Sequence, residues 1–152
     1  MTYRPILFAA ISAFALTACQ ETPAETAKDV AQARDTAVEQ NQEARQEANE
    51  DRAQAAADVT EAKNDMVVVD NNRVNKITKA ESEVMLTAAQ TKYDVAMTEA
   101  KGRFNVENEK CDALKGVGED ACRSTIEATL AAEEAAVTAT RDAEIVSATY
   151  HE

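Results

Sequence analysis

The chain of 152 residues carries 28 acidic and 16 basic residues, for a formal net charge of −12, and it contains no Trp, 3 Gly and 2 Pro. A surface this negative repels nucleic acid, which excludes a nucleic-acid partner. Abundant Ala, Glu, Gln, Lys and Arg with few helix breakers is typical of long helices and excludes a strand-rich fold. We therefore predict an all-α, coiled-coil-like fold: a long amphipathic helix followed by a disulfide-pinned antiparallel helical hairpin.

The first eighteen residues have the pattern of a secretory signal peptide. A short basic start at Arg4 is followed by an apolar run from Pro5 to Ala18. This run is shorter than the roughly 20 residues that a helix needs to cross a bilayer, and it ends in small residues that suit a signal peptidase. We expect residues 1–18 to be removed. An ordinary secreted protein, or a core helix with an incidental cysteine, are the alternatives.

Residues Leu16, Thr17, Ala18 and Cys19 resemble the lipobox of bacterial lipoproteins. In that family the cysteine thiol receives a diacylglyceryl group, cleavage occurs just before it, and the new amine is acylated. The resemblance implies a lipid-modified Cys19 that anchors the chain to a membrane, since several acyl chains hold a protein stably where one does not. Gln20 stands where an inner-membrane retention signal has Asp. This favours the outer membrane, facing the periplasm, over the inner membrane.

Residues 19–65 form the first part of the predicted mature chain, an acidic and Ala-rich stalk. Its large apolar residues are Val30, Val38 and Val59, too few to build a core alone. Acidic residues at four-residue spacing, Glu39, Glu43, Glu47 and Asp51, place like charges on one face and weaken a helix, whereas the Ala content favours one. We expect this stalk to be helical or partly disordered, with Thr22-Pro23 as a tether or as a first-turn signal.

A weak eleven-residue repeat runs from the stalk into the following segment, in the columns Ala33/Ala44/Ala55/Met66/Ile77/Ala88 and Ala37/Ala48/Val59. An eleven-residue period suits a nearly straight helix, although chance in an Ala-rich segment also produces such columns. The β-branched and Asn-rich stretch 66–72 predicts a kink. A helix continuous from 24 to about 112 would span ~130 Å and hold the hairpin away from the membrane. The alternatives are that the first segment folds back as a third helix or that chains self-associate.

Residues 66–152 are predicted to form the hairpin. The segment 115–120 supplies a helix stop, a turn at Gly116 and Gly118, and an acidic start for a helix over about 121–148. Folding back at these glycines places Cys111 opposite Cys122. Apolar stripes on the two arms then meet, with Phe104 opposite Leu130 and Met97 opposite Val137. The predicted hairpin core comprises Met97, Phe104, Ile126, Leu130 and Val137.

Cys111 and Cys122 remain once Cys19 is assigned to the lipid, and in an oxidising periplasm two such cysteines pair. A disulfide between them closes a short loop, for which chain entropy contributes about 3 kcal/mol. Free thiols are the main alternative. A metal site needs further ligands, and the one histidine is His151 near the end; a redox pair usually has Cys-x-x-Cys spacing. We predict a structural disulfide and no metal site.

The stretch Cys111-Asp112-Ala113-Leu114-Lys115-Gly116, then five residues and Cys122, resembles a hairpin in uncharacterised Ala-rich envelope proteins of proteobacteria. The resemblance covers about residues 90–130, including Tyr93-Asp94-Val95-Ala96. Its distinctive positions are the two cysteines, Leu114 and Gly116, and Gly118 stands where an Ala is more usual. The resemblance implies an envelope location and helical structure, with no established chemistry.

The sequence offers no catalytic constellation. It lacks a nucleophile with a histidine base and a glycine-rich phosphate loop, and acid pairs such as Glu133-Glu134 are expected to be solvated. Intrahelical ion pairs are expected between Glu99 and Arg103 and between Glu107 and Lys110. We predict no enzymatic activity, no cofactor and no small-molecule substrate.

The predicted function is that of a membrane-anchored envelope lipoprotein with a structural or protein-interaction role in the periplasm. Its partners would be the membrane, through the lipid anchor, and either further copies of the chain or an unidentified envelope protein. One alternative is a stress-protective helical protein similar to late-embryogenesis-abundant proteins, which also use charged, Ala-rich eleven-residue repeats. Another is an inhibitor or adaptor of a different envelope protein.

Overall fold

A computed structural model describes residues 22–64 and 71–150, which form three helices in chain order: α1 (Pro23–Asn64), α2 (Asn71–Cys111) and α3 (Val117–Thr149). Within these ranges there is no strand. The prediction of an all-α chain, with a long helix ahead of a disulfide-closed hairpin, is confirmed. The predicted signal peptide, Cys19, residues 66–70 of the predicted kink, and His151 lie outside the described residues.

Helix α1 begins with a reciprocal cap between Thr22 and Glu25. The backbone N–H of Glu25 donates to Thr22 Oγ1 at 3.3 Å, and the backbone N–H of Thr22 donates to a carboxylate oxygen of Glu25 at 2.7 Å. This is the capping box that the spacing Thr-x-x-Glu specifies, and Pro23 occupies the first helical position, where its missing N–H costs nothing. Thr22-Pro23 therefore marks the start of the helix, the second of the two roles considered for it.

Helix α1 runs antiparallel to α2 and packs along it. Lys63, at the end of α1, forms an ion pair of 2.8 Å with Glu81 near the start of α2, whereas Arg45 pairs with Glu99 further along. The chain therefore reverses between Asn64 and Asn71. A continuous helix from 24 to 112 is not formed; the first segment folds back as a third helix.

The eleven-residue columns of α1 are its packing face. Residues Ala33, Ala37, Ala44, Ala48, Ala55 and Val59 are all partly or fully buried. The contact with α2 is close: a Cβ added to Gly102 would lie 2.9 Å from Ala37 Cβ. Because these side chains are so small, the two backbones can approach more nearly than helices with Leu or Phe at the contact. The columns are therefore a structural repeat.

The turn between α2 and α3 is shorter than predicted. Helix α3 begins at Val117, four residues before the predicted start near Ala121, and Gly118 lies in its first turn. Gly116 has φ +55° and ψ −130°, a conformation that a residue with a Cβ rarely adopts, so it is the turn glycine. With the chain reversed there, Glu119 and Asp120 fall in the first helical turn and stabilise it through the helix dipole. These two acidic residues therefore mark the first turn of α3 and not the turn before it.

Helix α2 is the centre of the molecule, since α1 and α3 both pack on it and make no contact with each other in the described residues. Among the residues whose burial is described, the buried apolar ones are all small: Ala48, Ala89, Ala100, Cys111 and Ala148. Buried Ser82, on α2, donates a hydrogen bond of 3.1 Å to the carbonyl of Ala148 on α3. The described chain is thus a thin layer of three helices without an enclosed core of large side chains.

Candidate functional site

The closed end of the hairpin is the most heavily cross-linked part of the molecule. Cys111, the last residue of α2, is wholly buried and bonded to Cys122 in α3, with their Cα atoms 5.6 Å apart. The structure therefore has the predicted disulfide and no free thiol at these two positions. The bond fixes the end of α2 against the start of α3, where the turn alone would leave both helix ends able to fray.

Arg123 forms a second link between α2 and α3 beside the disulfide, which we call a clasp. The sequence did not predict this link. Its guanidinium donates to the side chains of Asp112 and Glu119, and to Asn108 Oδ1 at 2.7 Å. Arg123 thereby joins the end of α2 to the first turn of α3 with several charge-assisted hydrogen bonds. Only its spacing from Glu119 was visible locally, since Asp112 and Asn108 approach it through the reversal of the chain.

The tip itself presents apolar side chains to solvent. Leu114 is 45 % exposed and Val117 is 85 % exposed, on either side of Gly116. Nothing lies within 4 Å of a Cβ built on either Gly116 or Gly118, but Gly116 holds the turn through its positive φ. The two predicted turn glycines therefore differ in backbone conformation, which requires glycine at 116 and leaves Gly118 replaceable.

The seam of the hairpin keeps the register expected from the sequence. Lys92 reaches Glu144 at 2.7 Å and Arg103 reaches Glu133 at 2.9 Å, and Arg141 lies over the Tyr93 ring at 4.5 Å. The predicted core residues lie along α2 and α3, and each is partly exposed in this single chain: Met97, Phe104, Ile126, Leu130 and Val137. The seam thus consists of partly buried apolar residues bordered by ion pairs.

Of the two intrahelical ion pairs expected, one forms and one does not. Glu107 and Lys110 pair at 2.5 Å. Glu99 and Arg103 do not pair with each other, because α1 supplies Arg45 to Glu99 and α3 supplies Glu133 to Arg103. Each side chain thereby binds a neighbouring helix, which joins α2 to both of its partners.

A shallow groove runs between α1 and α2. One part has a volume of about 540 Å³ and is lined by Val38 and Arg34 of α1 and by Val106 of α2. A second part, of about 340 Å³, extends it toward Arg52, and the two parts share Arg45 and Glu99. We refer to the whole as the basic groove, because its lining contains the cations Arg34, Arg45, Arg52, Lys92 and Arg103 and the acids Glu99 and Glu107.

The electrostatics of the basic groove are dominated by its arginines. A hydrogen bond from Arg45, and then one from Asn41, hold the pKa of Glu99 below its ordinary value. Arg52 donates to Thr91 Oγ1 at 3.0 Å and has no carboxylate partner in the part of the chain that the structure describes; Arg34 has none there either. Two cations of the basic groove, both on α1, are therefore not neutralised by the described residues.

Across residues 22–64 and 71–150 there is no cluster of His, Cys, Asp or Glu that could hold a metal ion. In the same ranges every buried side-chain nitrogen or oxygen has a hydrogen-bond partner. Nor does any of the three helices combine the length and apolarity needed to cross a bilayer. The distinctive chemistry of the described chain is thus its disulfide clasp and its basic groove.

Comparison of the chain with protein-family models, characterised proteins and solved structures found no match.

Proposed function

We propose that this protein is a lipid-anchored lipoprotein of the bacterial envelope with a structural or protein-interaction role in the periplasm. The observation that carries the proposal is the run Leu16-Thr17-Ala18-Cys19 directly after the apolar segment of residues 5–18. A disulfide between Cys111 and Cys122 supports it, since such bonds persist in oxidising compartments outside the cytosol. The outer membrane is the proposed site, because Gln20 follows Cys19.

The proposed anchor would lie close to the start of α1. Cys19 precedes the capped start of α1 at Thr22 by three residues, so the lipid would hold the N-terminal end of the helix at the membrane surface. The 42 residues of α1 span about 63 Å, which sets the distance to the reversal after Asn64. Gly102 lies against Ala37, so with the anchor proposed here α2 would return toward the membrane and bring the disulfide end with it. The three packed helices would then extend from the membrane surface.

Intact mass of membrane-extracted protein tests the proposal. We expect a chain that starts at Cys19 and carries a lipid-sized mass increase, absent from a Cys19→Ser variant, with Cys111 and Cys122 alkylated only after reduction. A Cys122→Ser variant is the matched control, because it should keep the lipid and lose the disulfide. A chain without lipid in the membrane fraction would refute the anchor, and freely reactive thiols would refute the export argument.

The eleven-residue repeat favours one second candidate, a stress-protective helix of the late-embryogenesis-abundant type. Such proteins are disordered in buffer and become helical on drying or against membranes. In this chain the repeat packs against α2, which supports the structural role. Circular dichroism of dilute protein distinguishes the two: stable helix in buffer supports the structural role, and helix that appears only on dehydration supports protection.

A further inference from the structure

The charges of α1 are sorted by side. Four of its five basic residues, Arg34, Arg45, Arg52 and Lys63, follow one another at spacings of eleven, seven and eleven residues. At 3.6 residues per turn they point within about 80° of the direction of Ala37, which faces α2, and no acidic residue of α1 falls in the arc they occupy. Glu39, Glu43 and Glu47 point away from this arc. A strongly acidic helix therefore lines the groove with cations.

The basic groove also has an apolar floor that residues 22–64 and 71–150 leave uncovered. Val38 is 56 % exposed, and Val106, Ala37 and Gly102 continue the floor beneath it. Arg34 and Arg52, the two cations of the basic groove without a carboxylate partner in the described ranges, stand at its ends, about 27 Å apart along α1. An apolar strip flanked by unneutralised cations is complementary to an apolar strip flanked by carboxylates.

The shape of the groove favours a helix as its occupant. It is open and lies between two long helices, and amphipathic helices bind in grooves of this kind with their apolar face toward the floor. A second copy using the same groove would bring Arg34 and Arg52 against the cations of its partner, so a symmetric dimer through this face is disfavoured. The net charge of −12 does not prevent docking, because charges more than about 8 Å away are screened at physiological ionic strength.

We propose that the basic groove binds an acidic amphipathic helix of another envelope protein. The apolar stripe of that helix lies on Val38 and Val106, and two of its carboxylates, about eighteen residues apart, bind Arg34 and Arg52. The proposal rests on the interaction role proposed above and is independent of the lipid anchor.

The test measures binding of labelled 24-residue peptides to the full chain with Cys19→Ser, by fluorescence anisotropy. One peptide is an amphipathic helix with a Leu stripe flanked by Glu, and the comparison peptide has Lys at every Glu. We expect the acidic peptide to bind and the basic peptide to bind at least tenfold more weakly. Arg34→Gln with Arg52→Gln should weaken binding of the acidic peptide about two- to thirtyfold, since each exposed ion pair contributes roughly 0.2–1 kcal/mol.

The matched control is Lys101→Gln with Lys115→Gln, which removes the same charge from exposed positions outside the groove and should leave affinity unchanged. Reversing the groove charges with Arg34→Glu and Arg52→Glu should transfer the preference to the basic peptide. Circular dichroism of each variant establishes that it remains helical, so that a loss of binding reports on the groove.

Equal loss in the control variant, or no discrimination between the peptides, overturns the proposal. Competition by phosphatidylglycerol vesicles through Arg34 and Arg52 would make the groove a lipid site, and concentration-dependent dimers abolished by the same substitutions would make it an interface between copies; both outcomes also overturn it. Peptide binding by a protein whose native form carries no lipid would reject the anchor alone. A lipidated protein that binds no acidic peptide would reject the groove alone.

Discussion

Replacing Gly102 by Ala tests the close contact on which the docking of α1 depends. The new Cβ would lie 2.9 Å from Ala37 Cβ and 3.6 Å from Ala37 Cα, whereas non-bonded carbon atoms prefer about 3.5–4.0 Å. The contacted atom is a Cβ fixed to its own backbone, so relief requires α1 to move by roughly 0.6–1 Å. Overpacking of this kind costs about 1–3 kcal/mol, while the helix propensity of α2 gains about 1 kcal/mol.

The two effects act on different parts of the molecule, and this makes the prediction specific. Gly102→Ala should leave the α2–α3 hairpin as stable or more so, and should lower the free energy that docks α1 by about 1–3 kcal/mol. Hydrogen exchange of the α1 amides measures that docking directly, because local opening is reported residue by residue. Protection should fall around Ala37 and Ala48 while the amides near Cys111 remain protected.

Two further variants provide the control and the rescue. Gly118→Ala makes the same chemical change in the first turn of α3, where nothing lies within 4 Å, and should stabilise the protein by about 0.5–1 kcal/mol without affecting α1. Adding Ala37→Gly to Gly102→Ala removes the clash, so the double-mutant cycle should show a coupling of at least about 1 kcal/mol. If Gly102→Ala and Gly118→Ala behave alike and α1 exchange is unchanged, the close packing of α1 on α2 is wrong.

Three other changes have defined outcomes. Hydrogen bonds from Arg45 and Asn41 hold the pKa of Glu99 below its ordinary value. The contribution of Glu99 to α1 docking is therefore present at a pH above that ordinary value and is lost as the pH falls through the lowered pKa. Hydrogen exchange of α1 should show this acid loss weakened in Glu99→Gln and intact in Glu43→Gln; identical pH profiles would contradict the assignment. Thr22→Ala removes the capping box and should cost about 1 kcal/mol, seen as faster amide exchange over residues 24–30, whereas equal exchange in Thr22→Ala and in exposed Thr36→Ala would argue against the cap. Gly116→Ala places a residue with a Cβ at φ +55° and should lower the free energy of unfolding in urea by about 1–3 kcal/mol, opposite in sign to Gly118→Ala. An unchanged free energy of unfolding would mean that the turn is not the one described.

Expectations that depend on short-range chemistry agree with the structure. The helical class follows from composition, and the pairing of Cys111 with Cys122 follows from two apolar stripes that converge on a glycine turn. The error in the start of α3 has a local cause: Glu119 and Asp120 mark a helix start equally well just before or just inside the first turn. The Thr22–Glu25 capping box was also readable from its spacing, although the sequence interpretation stopped at Thr22-Pro23.

Partners that are distant in the chain could not be predicted in this way. Glu99 and Arg103 have the spacing of an intrahelical pair, but Arg45 and Glu133 bind them once the helices dock. Arg123 becomes a clasp only because the reversal brings Asp112 and Asn108 to it. The spacing of Arg34, Arg45, Arg52 and Lys63 already places these cations on one side of α1. Whether that side lines a groove, however, depends on which side of the helix faces α2.

What the sequence determined by itself is therefore local: helix content, the capped start of α1, the glycine turn and the register of the disulfide hairpin. Each of these depends on residues within a few turns of one another or on a single short reversal. Only the tertiary structure decided that the acidic stalk folds back along α2, that its Ala columns are a packing face, and that its arginines line a groove. An Ala-rich helix has no large apolar stripe that indicates which surface it packs against. The close contact between Ala37 and Gly102 could therefore be recognised only when both backbones were in place.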